Sequence, residues 1–173
     1  MTVPDRLGTQ VSSFTNFTTA NLDVITMTNG SITSCNARFY DSGGFGSTYQ
    51  NNEVFTYTFT PSAGNSLKVV FNSFDTENNY DGLMIYNGPS TASPLIPSGL
   101  PAGTNAATAP ADSYYGTNSP GTITTPVNGS ITFQFRSDGS VLRDGWDATI
   151  TCVTVPTITS FTPNNACAGA TPT

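Results

Sequence analysis

At 173 residues the chain has the length of about one domain, and with 36% hydrophobic and 11% aromatic residues it can bury a core. Only 9% of its residues are charged and only five are basic, for a net charge of −6, which excludes a phosphate-binding surface because such surfaces need clustered Lys and Arg. There is no His, so imidazole-based nucleophilic catalysis, imidazole-ligated zinc and a near-neutral His proton shuttle are excluded as well.

Residues 1–20 are polar with scattered Phe14 and Phe17, and read as an N-terminal arm or linker, or as a strand that docks on a neighbour. The segment MTVPDRLGTQ lacks the apolar core of a signal peptide, so if the protein is secreted the expectation is a mature or excised piece. No apolar run approaches the roughly 18 residues of a membrane span. From Leu22 a half-buried strand is predicted, Val24, Thr26 and Thr28 alternating with Ile25 and Met27, before NGS turns the chain towards Ile32 and Cys35. Phe39 to Asn52, FYDSGGFGSTYQNN, reads as loop from its glycines and Ser/Asn punctuation. VFTYTFT follows with Phe55, Tyr57 and Phe59 on one face, then LKVVF with Leu67, Val69 and Phe71, then GLMIYNG.

Residues 89–120 are Pro-, Ala- and Ser-rich with little periodicity, and read as a long ordered loop or insertion. Its adjacent Tyr114 and Tyr115 are candidate ligand contacts that could stack on a sugar or a protein partner, or else fold back onto the sandwich. Asn128–Gly129 is the strongest short hairpin signal, followed by Ile131, Phe133 and Phe135 on one face. WDATITC closes the pattern with Trp146, Ala148, Ile150 and Cys152 on one face. Seven or more short strands with no helical period predict an all-β fold, a two-sheet antiparallel β-sandwich spanning 21–153. Residues 154–173 form a separate linker-like end.

Cys35 ends the first strand region and Cys152 the last, so a disulfide between them would clamp the two ends of one domain and imply an oxidising compartment. Two buried thiols are the other reading. Cys167 has no partner in this pairing. The triplets at Asn16, Asn29 and Asn128 fit N-glycosylation sequons, a three-residue match of little weight.

Glu77 and Asp81 flank the bend ENNYD, and Asp138 comes just after the strand that begins at Ile131, with Ser140 two residues on. Spacing alone leaves these as solvated turn acids, since Asp and Asn are common in turns. If the strand ends meet, three carboxylates converge, each raising the others' pKa, and a divalent ion with oxygen ligands resolves the repulsion. A glycosidase needs two carboxyls across a cleft, and nothing in the sequence marks a sugar cleft.

The motifs FNSFDTENNYDGLMIYNG and ITFQFRSDGSVLRDGWDATITC, separated by a Pro-rich gap, resemble the CUB domain, an extracellular sandwich of two β-sheets with a jelly-roll topology. The opening MTNGSITSCNARFYDSGG, with Tyr49 and NNE after it, is similar to the variant in secreted and surface proteins of Bacteroidota. The resemblance runs from about Ile25 to Cys152. It implies a Ca2+ site with Glu77, Asp81 and Asp138 as ligands, a contribution from Ser140 and the backbone beside it, and Tyr49 orienting the site. The Glu77–Asp81 loop is shorter than in animal members, and Asn87 stands where the family often has Asp. The tail ITSFTPNNACAGA resembles the start of an IPT/TIG immunoglobulin-like domain, which would supply a partner for Cys167.

The resemblance and the composition together lead to the expectation of a secreted, non-catalytic, calcium-stabilised adhesion or assembly module at a bacterial cell surface or in a filament. Its partner would be a protein or glycan, or copies of itself joined through the terminal segments. The alternative is an ancillary substrate- or glycan-binding module of a secreted hydrolase.

Overall fold

The computed structural model describes residues 22–154, and the arm at 1–20, nearly all of the 154–173 segment, Asn16 and Cys167 lie outside the described residues. Nine strands run in order: β1 (Asp23–Thr26), β2 (Gly30–Thr33), β3 (Asn36–Tyr40), β4 (Val54–Thr60), β5 (Asn65–Asp75), β6 (Gly82–Tyr86), β7 (Thr122–Thr124), β8 (Ile131–Arg136) and β9 (Gly145–Thr154). They form a five-stranded sheet ordered β1-β3-β9-β5-β7 and a four-stranded sheet ordered β2-β4-β8-β6. No helix occurs among the described residues. The all-β sandwich read from the alternation is the observed fold.

Its sheets are mixed rather than wholly antiparallel, because β1 pairs parallel with β3 and β2 parallel with β4. Alternation reports which face a side chain takes and carries nothing about strand direction. The expected loop from Phe39 begins two residues later, since Phe39 and Tyr40 complete β3 and are both buried. Asn128–Gly129 does not close a hairpin: β7 pairs with β5 in one sheet, whereas β8 pairs with β4 and β6 in the other. The turn instead carries the chain across the sandwich. Asn128 holds the positive φ of 60° that such a turn needs, and its side chain accepts a hydrogen bond from the Gly64 amide at 2.6 Å.

The core lies between the sheets and is mostly aromatic. Phe39 packs against Phe59, Phe133 and Trp146 with ring centroids 5.0–5.6 Å apart, and Phe135 meets Trp146 at 5.1 Å. In β5 the inward run Leu67, Val69, Phe71 would turn Phe74 outward under strict alternation. A bulge between Phe71 and Ser73 resets the phase, so Phe74 is buried opposite Trp146.

Strand direction gives the sandwich two unlike ends. Cys35 precedes β3 and Cys152 lies towards the end of β9, and the two are joined by a disulfide with Cα atoms 4.7 Å apart. At the opposite end, β3, β5 and β8 finish and β4, β6 and β9 begin. The β3–β4, β5–β6 and β8–β9 loops therefore share one rim.

Candidate metal centre at the rim

Each carboxylate reaches the rim by its strand. Glu77 lies two residues beyond the end of β5, Asp81 immediately before β6, and Asp138 two residues beyond β8. Because β6 pairs with β8 with Gly82 opposite Arg136, the residues flanking that pair are neighbours. Glu77, Asp81 and Asp138 each offer one oxygen, all within 4.8 Å of one another.

Asp81 is fully buried and anchored at both oxygens. Oδ2 accepts the Tyr49 hydroxyl at 2.7 Å and Oδ1 accepts the Asp138 backbone amide at 2.7 Å. The Tyr49 oxygen in turn accepts the Glu77 amide at 2.9 Å, so one phenol ties both acidic loop positions together. Tyr49 is itself completely buried, its ring edge-on to Phe135 at 4.9 Å. Asp138 accepts the Ser140 amide at Oδ1 (3.1 Å) and the Asn105 side-chain amide at Oδ2 (3.3 Å). Ser140 is exposed and is attached to the cluster through that backbone bond.

Burial pushes the Glu77 carboxyl above the usual range, and Asp138 and Asp81 raise it further, with Arg143 offsetting in part. Asp81 is also raised, first by burial, against the lowering effect of its bonds from Tyr49 and the Asp138 amide. Tyr49 is pushed strongly upward by burial and by Asp81, so it stays a neutral donor. Glu77 Oε2 is buried with no hydrogen-bond partner. An orphaned carboxylate oxygen beside two more carboxylates is an all-oxygen donor set of the kind a hard divalent cation takes. The residues present fit such an ion.

Two further residues at the rim are given no role by the sequence pattern, although Glu53 is the acid of the NNE motif. Asn105 comes from the aperiodic 89–120 stretch, its backbone amide also bonds the Asn79 carbonyl, and no pattern could have placed it against Asp138. Glu53 is buried and accepts Ser42 Oγ at 2.6 and 2.7 Å and the Gln50 amide at 3.2 Å. Burial raises its pKa. Tyr114 and Tyr115, expected as candidate ligand contacts, are only 9% and 4% exposed. Tyr114 pairs through its backbone with Leu83, and the two hydroxyls donate to the Pro97 and Pro101 carbonyls. They fold back onto the sandwich, so the reading of an exposed pair is corrected.

A family model described as "CUB domain" matches residues 23–150. No curated protein sequence is a match. Among solved structures, the full extracellular region of zebrafish Gpr126/Adgrg6 is 19% identical with a TM-score of 0.56, over 75% of this chain and 15% of that one. The CUB1-EGF-CUB2 domain of human MASP-1/3 is 20% identical with a TM-score of 0.54, over 75% and 43%. The MASP-1 CUB2 domain bound to Ca2+ is 25% identical with a TM-score of 0.43, over 60% and 81%. The chain spans less than half the length of the first two, and the likeness to them is one of fold.

Proposed function

This chain belongs to the CUB domain family, and from that membership we propose that it is a calcium-stabilised adhesion or assembly module of a bacterial cell-surface protein or filament. CUB domains are typically extracellular interaction modules and are generally non-catalytic. The observation that carries the calcium reading is the meeting of Glu77, Asp81 and Asp138 within 4.8 Å, one oxygen of Glu77 being buried and unpartnered. Those three residues would hold the ion, with Ser140 and the neighbouring backbone contributing and Tyr49 keeping Asp81 and the Glu77 backbone in place. The ion supplies positive charge where three acids would otherwise repel, and its ligands lie on two separate loops, β5–β6 and β8–β9. Fixing those loops gives the rim a single shape to present.

The bacterial setting and a C-terminal immunoglobulin-like neighbour rest on the sequence resemblance, and the boundaries at 21 and 153 on the strand pattern of the sequence. Assembly through the terminal segments would proceed by addition of a strand to a sheet edge. The glycan-binding alternative loses the support of Tyr114 and Tyr115, which are buried.

Thermal unfolding in calcium and in excess chelator tests the proposal, on the wild type and on Asp138→Ala. An ion that binds only the folded state at 100 times its dissociation constant stabilises by about 2.7 kcal/mol. The expected result is a Tm several degrees higher in calcium for the wild type and no calcium effect in the variant. Equal melting with and without calcium in both proteins overturns the calcium site.

A further inference from the structure

A second feature at the same end uses none of the candidate metal ligands. A cavity of about 300 Å³ lies between the β3–β4 loop and the outer face of the five-stranded sheet. That volume is at the lower end of the range for ligand pockets. Its floor is a register row across three strands, Tyr40 on β3 opposite Asp147 on β9, and Asp147 opposite Ser73 on β5. Phe45 lines one side, 83% exposed, its ring held edge-on to Tyr40 at 6.0 Å. Asp144 lines it from the β8–β9 loop.

The charges in this cavity are unequal in their freedom. Asp147 is bound on both oxygens by Arg38, Nε donating at 2.7 Å and the terminal nitrogen closing the second bond. Asp41 is buried and accepts the Gly43 and Trp146 amides. Asp144 is exposed and has no hydrogen bond or ion pair among the described residues. No Lys or Arg lines the space. Phe45 contributes nothing to the core cluster, and Gly44 and Gly46 on either side of it take φ of +75° and +78°. The loop places left-handed glycine positions on either side of this exposed ring, whose one ring contact among the described residues is Tyr40.

We propose that this cavity receives a basic side chain, Lys or Arg, presented by a protein partner. The cation would lie against the Phe45 and Tyr40 rings, which attract positive charge through their quadrupoles, with its charge answered by Asp144. An anion would meet the exposed Asp144 carboxylate with no Lys or Arg in the lining to answer its charge. A neutral guest would desolvate Asp144 without returning an opposite charge. A second copy of this chain is a poor occupant, since each carries a net charge of −6 and only five basic residues in all. A basic partner is also the kind that such a charge steers inward.

The test is a titration of the isotope-labelled chain, monitored by NMR amide shifts, with three short capped peptides that differ only in a central Arg, Lys or Gln, and with methyl glucoside. It is run in calcium and again in excess chelator. Saturable shifts centred on residues 44–47, 73 and 144–147 are expected for the Arg and Lys peptides under both conditions, weakening as salt is raised. Phe45→Ala and Asp144→Asn are each expected to weaken binding about tenfold while leaving the melting temperature near wild type. The Arg and Lys arms identify which cation is preferred. Equal binding of the Gln peptide or the glucoside overturns the proposal, as does the absence of saturable shifts or unaltered binding by Asp144→Asn. Shifts that centre on residues 77–81 and vanish in chelator put the cation at the metal rim and also overturn it. Because the chelator arm stands apart, this proposal and the calcium reading can fail separately.

Discussion

Asp41 shows how much one side chain can hold at the rim. It is 1% exposed, accepts the Gly43 amide at 2.7 Å and the Trp146 amide at 3.3 Å, and so ties the start of the β3–β4 loop to the start of β9. Gly145 beside it has a φ of +65°, and a Cβ there would strike the Asp41 carboxylate, so only glycine fits. Burial pushes Asp41 up to about 6, against an ordinary value of 3.8. A carboxyl with a raised folded pKa binds its proton more tightly folded than unfolded, so its contribution to stability is largest at low pH. That contribution falls away as pH rises from about 4 to about 6, by something on the order of 3 kcal/mol for Asp41. Glu53, Glu77 and Asp81 are raised too, so they act with the same sign. Urea unfolding in chelator is therefore expected to show lower stability at pH 7 than at pH 4, with a shallower pH dependence in Asp41→Asn. Stability that climbs from pH 4 to pH 7 in chelator contradicts this account. None of this could be read from FYDSGG, where Asp41 looks like one more turn residue; its burial depends on Trp146, over a hundred positions away.

At the scale of strands, local alternation identifies β4, the inner face of β9 and the first half of β5, because period-two patterning is a direct record of which side is buried. The carboxylates likewise stand at strand ends, as their sequence positions imply. What alternation could not encode were the bulge in β5, the parallel pairings of β1 and β2, and the sheet change at Asn128, all of which are decided by partners distant in sequence. The 87–121 segment is the largest such case. The edge of β6 would otherwise expose unpaired backbone, and the segment covers it: the Ile96 amide donates to the Ile85 carbonyl at 2.7 Å, and Leu83 and Tyr114 exchange two bonds at 2.9 Å. Tyr114 belongs to the core cluster beside these bonds. Its truncation, Tyr114→Ala, is expected to cost about 3 kcal/mol in urea unfolding, as for other large buried aromatics. A change within about 0.5 kcal/mol, typical of surface positions, would return this tyrosine to the role of an exposed contact.

Across the whole molecule, the disulfide and the carboxylate cluster lie at opposite ends of the sandwich. The disulfide closes the end where β3 begins and β9 finishes, and the Cys152 amide donates to the Cys35 carbonyl at 3.3 Å beside it. Its two cysteines are 117 residues apart, and closing a loop of that size stabilises by roughly 4–5 kcal/mol in the chain-entropy model. The carboxylate cluster and the Phe45 cavity lie at the far ends of the same strands, sharing no side-chain partner with the cysteines. Perturbations at sites that are distant and share no partners add. A Cys35→Ala, Cys152→Ala double variant is accordingly expected to lose several kcal/mol in chelator while keeping the full calcium-dependent rise in Tm. The double-variant melt in calcium and in chelator measures this directly. If the variant stays folded yet loses its calcium response, the rim is not an independent unit, and the disulfide must be setting the rim's geometry through β3 and β9.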